Sequence, residues 1–524
     1  MRREPALMYS SIALMLFCHA SLAQYPNIRV SNPSSITPEE VTIAINPANP
    51  MNLVAGANIR FNYFSTDGGM TWTQGFLPTG TWGDPCVMFD AEGRGYYGHL
   101  SNPAGGYFIE RLIVHRSSNG GLTWSDSTTI GYNPPKQQDK EWLVADMTSS
   151  PFRDNIYMSW TEFDAYGSTS VLDSSRILFS HSTDHGASWS NPVRVSDTGG
   201  DCIDEDNTVE GAVPAVGPNG EVYVGWSGPL GIMFDKSTDG GQSFGSDVFV
   251  SLHPGGWDFA VSGIYRCNGL PITACDASTS PYRGNIYITW GDQRNGVENS
   301  DVFMSKSTDG GSTWGITKKV NNDAGARHQF FPWMTVDQST GYLYFVFYDR
   351  RGTKGDTTNV YVAKSTDGGE TFSNFKVSTS PFAPTSNIFF GDYTNIAAMN
   401  GRIYPIWMRL DGNSLSVWTA LLTDTTTVDV SEDHGQITGY KLWPNYPNPF
   451  NPSTTIHFDV PEGSWVTLKL FDILGREVST LVDQYVEPGR HAVQVYAEGL
   501  SSGLYCCTMV SGHFVDMKKM MVMK

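Results

Sequence analysis

One eight-residue phrase recurs six times in this 524-residue chain: "STDGGMTW" at 65–72, "SSNGGLTW" at 117–124, "STDHGASW" at 182–189, "STDGGQSF" at 237–244, "STDGGSTW" at 307–314 and "STDGGETF" at 365–372. The spacing is uneven, so the repeating unit is fixed at this turn and elastic elsewhere. Upstream of the phrase stands a Tyr-bearing apolar strand, clearest in "NIYMSW" (155–160), "EVYVGW" (221–226), "NIYITW" (285–290), "YLYFVF" (342–347) and "RIYPIW" (402–407), with looser forms in "NLVAGA" and "GYYGHL". Each is preceded by another apolar strand, from "VTIAINP", "CVMFD", "WLVAD", "AVPAVGP", "ITACD" and "WMTVD" to "TNIAAM", so both sets count seven. A short alternating strand such as "PVRVSD" or "NFKVST" follows each phrase. The seventh of that kind, "NIRVSN" at 27–32, lies upstream of all the others.

Four strands per unit and seven units in about 400 residues predict an all-β propeller of roughly 57 residues per blade. Six blades is the rival count. A ring of sheets must hide its strand edges, and the displaced "NIRVSN" suggests how: it supplies the outer strand of the last blade, whose third strand is "SVWTALLTD" at 415–423. Pro405, inside "RIYPIW", counts against a regular strand unless it sits at a bulge or an edge.

The repeated phrase resembles the Asp box, S-x-D-x-G-x-T-W, of sialidases and other Asp-box (BNR repeat) β-propellers. In that family it is the turn between the third and fourth strands of a blade. The residue chemistry agrees: Asp or Asn accepts backbone N–H groups, Gly permits positive φ, and Trp or Phe packs between blades. Asp67, Asn119, Asp184, Asp239, Asp309 and Asp367 are therefore read as structural, and Asn119 keeps the acceptor without the charge.

The two ends read differently. Residues 1–23 have the basic start, short apolar core and small-residue "SLA" of a signal peptide. After the propeller (24–424) and a Thr/Asp-rich linker (425–439), residues 440–524 carry "NPFNPSTTI", "DILGREVSTL" and "EPGRHAV", which together resemble the C-terminal sorting domain of the type IX secretion system, a small Ig-like β-sandwich. The resemblance implies a protein secreted by, or held at the outer-membrane surface of, a Gram-negative bacterium, with that secretion machinery as a partner. No later segment has the roughly 18 apolar residues of a membrane-spanning helix. A net charge of −19, with no long Lys/Arg block, argues against nucleic acid as a partner. Cys267 and Cys275, in "RCNGLPITAC", are spaced like a loop-closing disulfide, although spacing alone does not fix the geometry.

In a propeller the binding mouth lies where inner strands begin and second strands end. The inner-strand starts carry Glu39, Glu40, Asp84, Asp139 with Glu141, Glu210, and Asp392 with Tyr393; the loops after the second strands carry Arg294, Arg350 and Arg409. Sialidases use a Tyr nucleophile assisted by Glu, an Asp acid/base and three arginines that hold the substrate carboxylate. "VEGAVPAVGPNGEVYV" resembles the blade that supplies the assisting Glu, and "GDYTNIAAMNGRIY" the stretch that supplies the Tyr, which implies Glu210 and Tyr393 as catalytic residues. The arginines depart from the pattern: "EEVTIAI" has none on the first inner strand, and Trp226 stands where the second is expected. Arg294, Arg350, Arg409, Asp84 and Asp139 are the substrate-binding candidates from other blades. Asp204 and Asp206, within "DCIDEDNTVE", have the composition calcium favours; no cofactor is otherwise required. Two functions remain open: a sialidase-like glycoside hydrolase acting on extracellular glycans, or a non-catalytic surface propeller that binds glycans or proteins.

Overall fold

The computed structural model describes residues 25–524 except 34–37, 79, 425–438, 444, 446–447, 452, 487 and 498. The signal-peptide segment and nearly all of the linker lie outside the described residues. The chain divides into two units, residues 1–427 and 428–524.

In the first unit the described residues form seven antiparallel sheets, six of them with their strands in chain order from the axis outward and the seventh completed at its outer edge by the N-terminal strand. Their inner strands are Thr42–Ile45, Thr81–Phe89, Gln137–Ala145, Glu210–Val216, Ile272–Cys275, Gln329–Asp337 and Asn395–Met399, for blades 1 to 7. Each inner strand contacts the next, and that of blade 7 touches that of blade 1, so the ring closes. Its seam is the one the displaced strand implied: Asn27–Arg29 pairs with Trp418–Ala420 at the outer edge of blade 7, and the Val30 amide continues the ladder to the Val417 carbonyl at 2.8 Å. Blade 7 also absorbs Pro405. Its second strand pairs Arg402 and Ile403 with Thr423 and Leu422, then resumes at Ile406 opposite Thr419. The missing N–H falls in that gap, and the Thr419 hydroxyl donates to the Pro405 carbonyl at 2.8 Å.

The repeated phrase forms the same hydrogen-bonded turn in all six copies. In the first, Ser65 Oγ donates to Asp67 Oδ1 at 2.8 Å, the Thr71 amide donates to the same oxygen at 2.9 Å, and the Thr71 hydroxyl bonds Asp67 Oδ2 at 2.6 Å. Asn119 repeats this, donating instead of accepting at Thr123 Oγ1. The second Gly of the pair is required twice over. Gly121 and Gly311 have φ near +86° and +83°, and a Cβ there would stand 2.1 Å from Val54 and 2.2 Å from Phe234, both on the preceding blade. The turn therefore also sets how closely adjacent blades pack. At the matching second-strand position, Trp160, Trp226, Trp290 and Trp407 are fully buried.

The spacing of Cys267 and Cys275 suggested a disulfide, but the structure has both as buried free thiols. They pack in different hydrophobic clusters, Cys267 toward the axis and Cys275 between blades 4 and 5. The second unit packs a three-stranded sheet (Lys441–Leu442, Ser453–Val460, Gly489–Tyr496) with a four-stranded one (Glu477–Val486, Ser464–Asp472, Gly503–Ser511, Phe514–Val522) around Ile456, Phe458, Leu468 and Met509.

Candidate functional site at the propeller mouth

A recurrent backbone device brings charge to the axis. Two residues before the first regular pair of the inner strand, the chain enters the left-handed region: Glu40 (φ 53°), Asp84 (49°), Lys140 (50°), Gly211 (79°) and Phe331 (51°). In blades 2, 3, 4 and 6 this coincides with a break in register, a bulge that re-aims the side chains around it. Placing Glu, Asp and Lys where Gly is preferred costs about 1 kcal/mol or more apiece.

Lys140 is the hub of what results. Its ammonium lies 3.0 Å from Asp392 and 3.7 Å from Asp84, and 4.9 Å over the Tyr393 ring. Arg266 is the second cation: its Nε donates to Asp392 at 3.1 Å and its Nη1 to Asp204 at 3.1 Å. Tyr166 donates to the same Asp204 oxygen at 2.5 Å. Burial alone would raise Asp392, but Arg266 and Lys140 outweigh it and hold the carboxyl well below its ordinary range. Asp139, Glu210, Glu40 and Glu141 move the opposite way. Burial, followed by the negative neighbours Asp84 and Asp204, raises Asp139, and burial with Asp204 and Asp139 raises Glu210. Burial and Asp84 likewise raise Glu40 and Glu141. Asp204 is a neighbour of Glu210, and Asp84 of both Glu40 and Asp139, so each of these raised carboxyls has a second carboxyl beside it.

Beneath the charges is an aromatic floor. Trp142, Trp333 and Tyr393 come from blades 3, 6 and 7, yet their ring centroids are only 4.3 Å (Trp142–Trp333), 5.8 Å (Trp142–Tyr393) and 5.7 Å (Trp333–Tyr393) apart, so they meet across the axis. A cavity of about 40 Å3 opens among them, lined also by Glu141, Val213, Leu270 and Ile272.

The structure brings Glu210, Asp84, Asp139 and Tyr393 to this mouth. Glu210 and Tyr393 face different neighbours: Glu210 faces Asp204 and Asp139, while Asp84, Glu40 and Glu141 surround Tyr393. The three candidate arginines are taken up by partners in their own blade or the one before it. Arg294 Nε bonds both oxygens of Asp292 at 2.9 Å. Arg409 clamps Asp411 at 2.8 and 2.9 Å and reaches the Ser380 carbonyl. Arg350 is buried against Thr358 and Asp356, with its guanidinium 5.3 Å from the Phe330 ring. Asp204 and Asp206 point apart. Asp204 meets the Arg266 guanidinium, whereas Asp206 accepts the Asp258 amide at 2.8 Å. Among the described residues no three His, Cys, Asp or Glu side chains gather as a metal site.

Arg266 and Lys140 were not singled out in the sequence. Arg266 lies in the long insertion between blades 4 and 5, whose length was the visible signal. Lys140 was hidden between two acids, and only the bulge turns it inward.

Residues 445–523 match the family model of the secretion system C-terminal sorting domain. This is a sorting tail. The chain is thereby addressed to the type IX secretion machinery and to the outer-membrane surface or beyond. No helix among the described residues is long and apolar enough to cross a membrane. No curated protein matches the sequence. Similar solved structures include a protein of unknown function from Dyadobacter fermentans (14% identity, 64% of this chain and 96% of that one, TM-score 0.43). The NanB sialidase of Streptococcus pneumoniae is 9% identical over 71% of this chain and 83% of its own, with a TM-score of 0.43. An ulvan lyase is 13% identical over 77% and 96%, also with a TM-score of 0.43. The propeller assignment rests on the seven sheets and their closure.

Proposed function

We propose that this is an exported propeller that engages extracellular glycan at its axial mouth, after signal-peptide export and delivery to the surface of a Gram-negative cell. The observation that carries this reading is the convergence of buried carboxyls onto an aromatic floor. A sugar hydroxyl both donates and accepts, and Glu40, Asp139, Glu141 and Glu210, raised by burial, offer donors beside the ion-paired acceptor Asp392. Aromatic faces take the apolar face of a sugar ring. Sialoside hydrolysis is disfavoured, because Arg294, Arg350 and Arg409, the arginines available to hold a substrate carboxylate, are each paired away from the mouth.

Hydrolysis of another glycoside is the second reading. It is favoured by Glu210, a buried carboxyl held protonated beside ionisable neighbours, the state a general acid requires. The test is turnover by the full chain on a panel of fluorogenic neutral, amino and sialyl glycosides, together with direct binding of the corresponding oligosaccharides. Binding without turnover establishes the glycan-binding propeller. Turnover abolished by Glu210→Gln establishes the hydrolase. Neither binding nor turnover by folded protein refutes the glycan reading.

A further inference from the structure

Among the described residues Glu141 is the one buried carboxyl with both oxygens unbonded. It is 1% exposed. The Tyr393 hydroxyl, on the same cavity, is also buried and unbonded. Leaving a buried carboxyl without a protein partner costs about 1–3 kcal/mol, more if charged, so the fold places this group at its axis against its own stability.

The rings around it indicate what suits it. Trp142, Trp333 and Tyr393 pack against one another with centroids 4.3 to 5.8 Å apart and together line one wall of the cavity, where a cation is attracted through the ring quadrupoles. The chain already shows that an ammonium is accepted there, since that of Lys140 stands over the Tyr393 ring. The size also selects. A cavity of about 40 Å3 holds roughly two or three waters, enough for an amine and its carbon but not for an acetamido group of four heavy atoms.

We propose that Glu141 and the Trp142–Trp333–Tyr393 wall form a subsite for the free ammonium of an amino sugar, so that the preferred glycan is a deacetylated, cationic one. This rests on the glycan reading above and specifies it. As the ammonium enters, Glu141 releases its proton to solvent and pairs with it as the carboxylate, while sugar hydroxyls meet the carboxyls of Asp139, Asp204 and Glu210. A lysine side chain satisfies the ammonium site but leaves that hydroxyl-matching set unused.

Calorimetric titration of the full chain at mildly acidic pH compares a glucosamine tetramer, an N-acetylglucosamine tetramer and n-propylammonium. The glucosamine tetramer is expected to bind at least about tenfold tighter than its acetylated equivalent, with Glu141→Gln removing that preference. Equal or tighter binding of the acetylated tetramer overturns the subsite while the glycan reading stands. Glu141-dependent binding of propylammonium with no binding of either tetramer keeps the ammonium subsite and overturns the glycan reading. No binding of any probe overturns both. The comparison of tetramers on the unaltered protein decides the matter even if Glu141→Gln fails to fold.

Discussion

Glu39 offers a direct test of how this mouth spends stability. It precedes the left-handed Glu40, is 8% exposed, and has a carboxyl oxygen with no hydrogen bond. Burial pushes its pKa from the ordinary 4.5 up to about 8. Between those values the native state keeps the proton and the unfolded chain releases it, so stability falls as pH rises. The contribution is fully present below pH 4.5 and is lost as pH climbs through about 8. At about 1.4 kcal/mol per pH unit, the full interval is worth about 5 kcal/mol. Glu39→Gln keeps the shape and stays neutral, so its stability advantage should grow from near zero at pH 4.5 to about 5 kcal/mol at pH 8. With an unfolding entropy of about 2.1 cal/mol/K per residue over roughly 400 residues, that is about 6 °C in Tm. Scanning calorimetry of both proteins at half-unit steps from pH 5 to 8 measures it. Parallel Tm profiles, with a constant gap, would refute the claim that Glu39 is held protonated by burial.

Other perturbations test the frame and the charges. Deleting residues 25–31 strips the seam strand from blade 7; lost burial of Val30 and the lost ladder bonds should cost about 5 kcal/mol and expose an aggregation-prone edge, read by thermal melting and light scattering. Arg266→Gln leaves Asp392 buried with Lys140 as its remaining cation. The cost expected for a broken buried pair is about 2–4 kcal/mol, toward the lower end because Arg266 is about a third exposed. Lys140→Met should be strongly non-additive with it in a double-mutant cycle. In the repeated turn, Asp309→Asn should be nearly neutral, as Asn119 already shows, whereas Asp309→Ala should cost about 1–2 kcal/mol by urea unfolding; equal costs would mean that the charge matters and the acceptor does not.

The scaffold was legible because its physics is local. A turn that needs an acceptor and positive φ must repeat those residues wherever it recurs, and strands that bury both faces must repeat their apolar runs. The blade number and the seam through "NIRVSN" followed from those repeats, since a closed ring leaves no strand unaccounted for. The mouth was legible only in part. Glu210, Asp84, Asp139 and Tyr393 reach it because inner-strand starts must face the axis in any propeller. Which arginine serves it could not be read: Arg294, Arg350 and Arg409 each found a local acid or carbonyl, while Arg266 reached in from an insertion that belongs to no repeat. The meeting of Trp142, Trp333 and Tyr393, separated by up to 251 positions in the chain, is set by ring closure alone, and so are the unbonded Glu141 and the cavity it faces. Sequence fixes which groups are available; the closed ring decides which of them share a centre, because only there do distant inner strands come within a ring's width of each other.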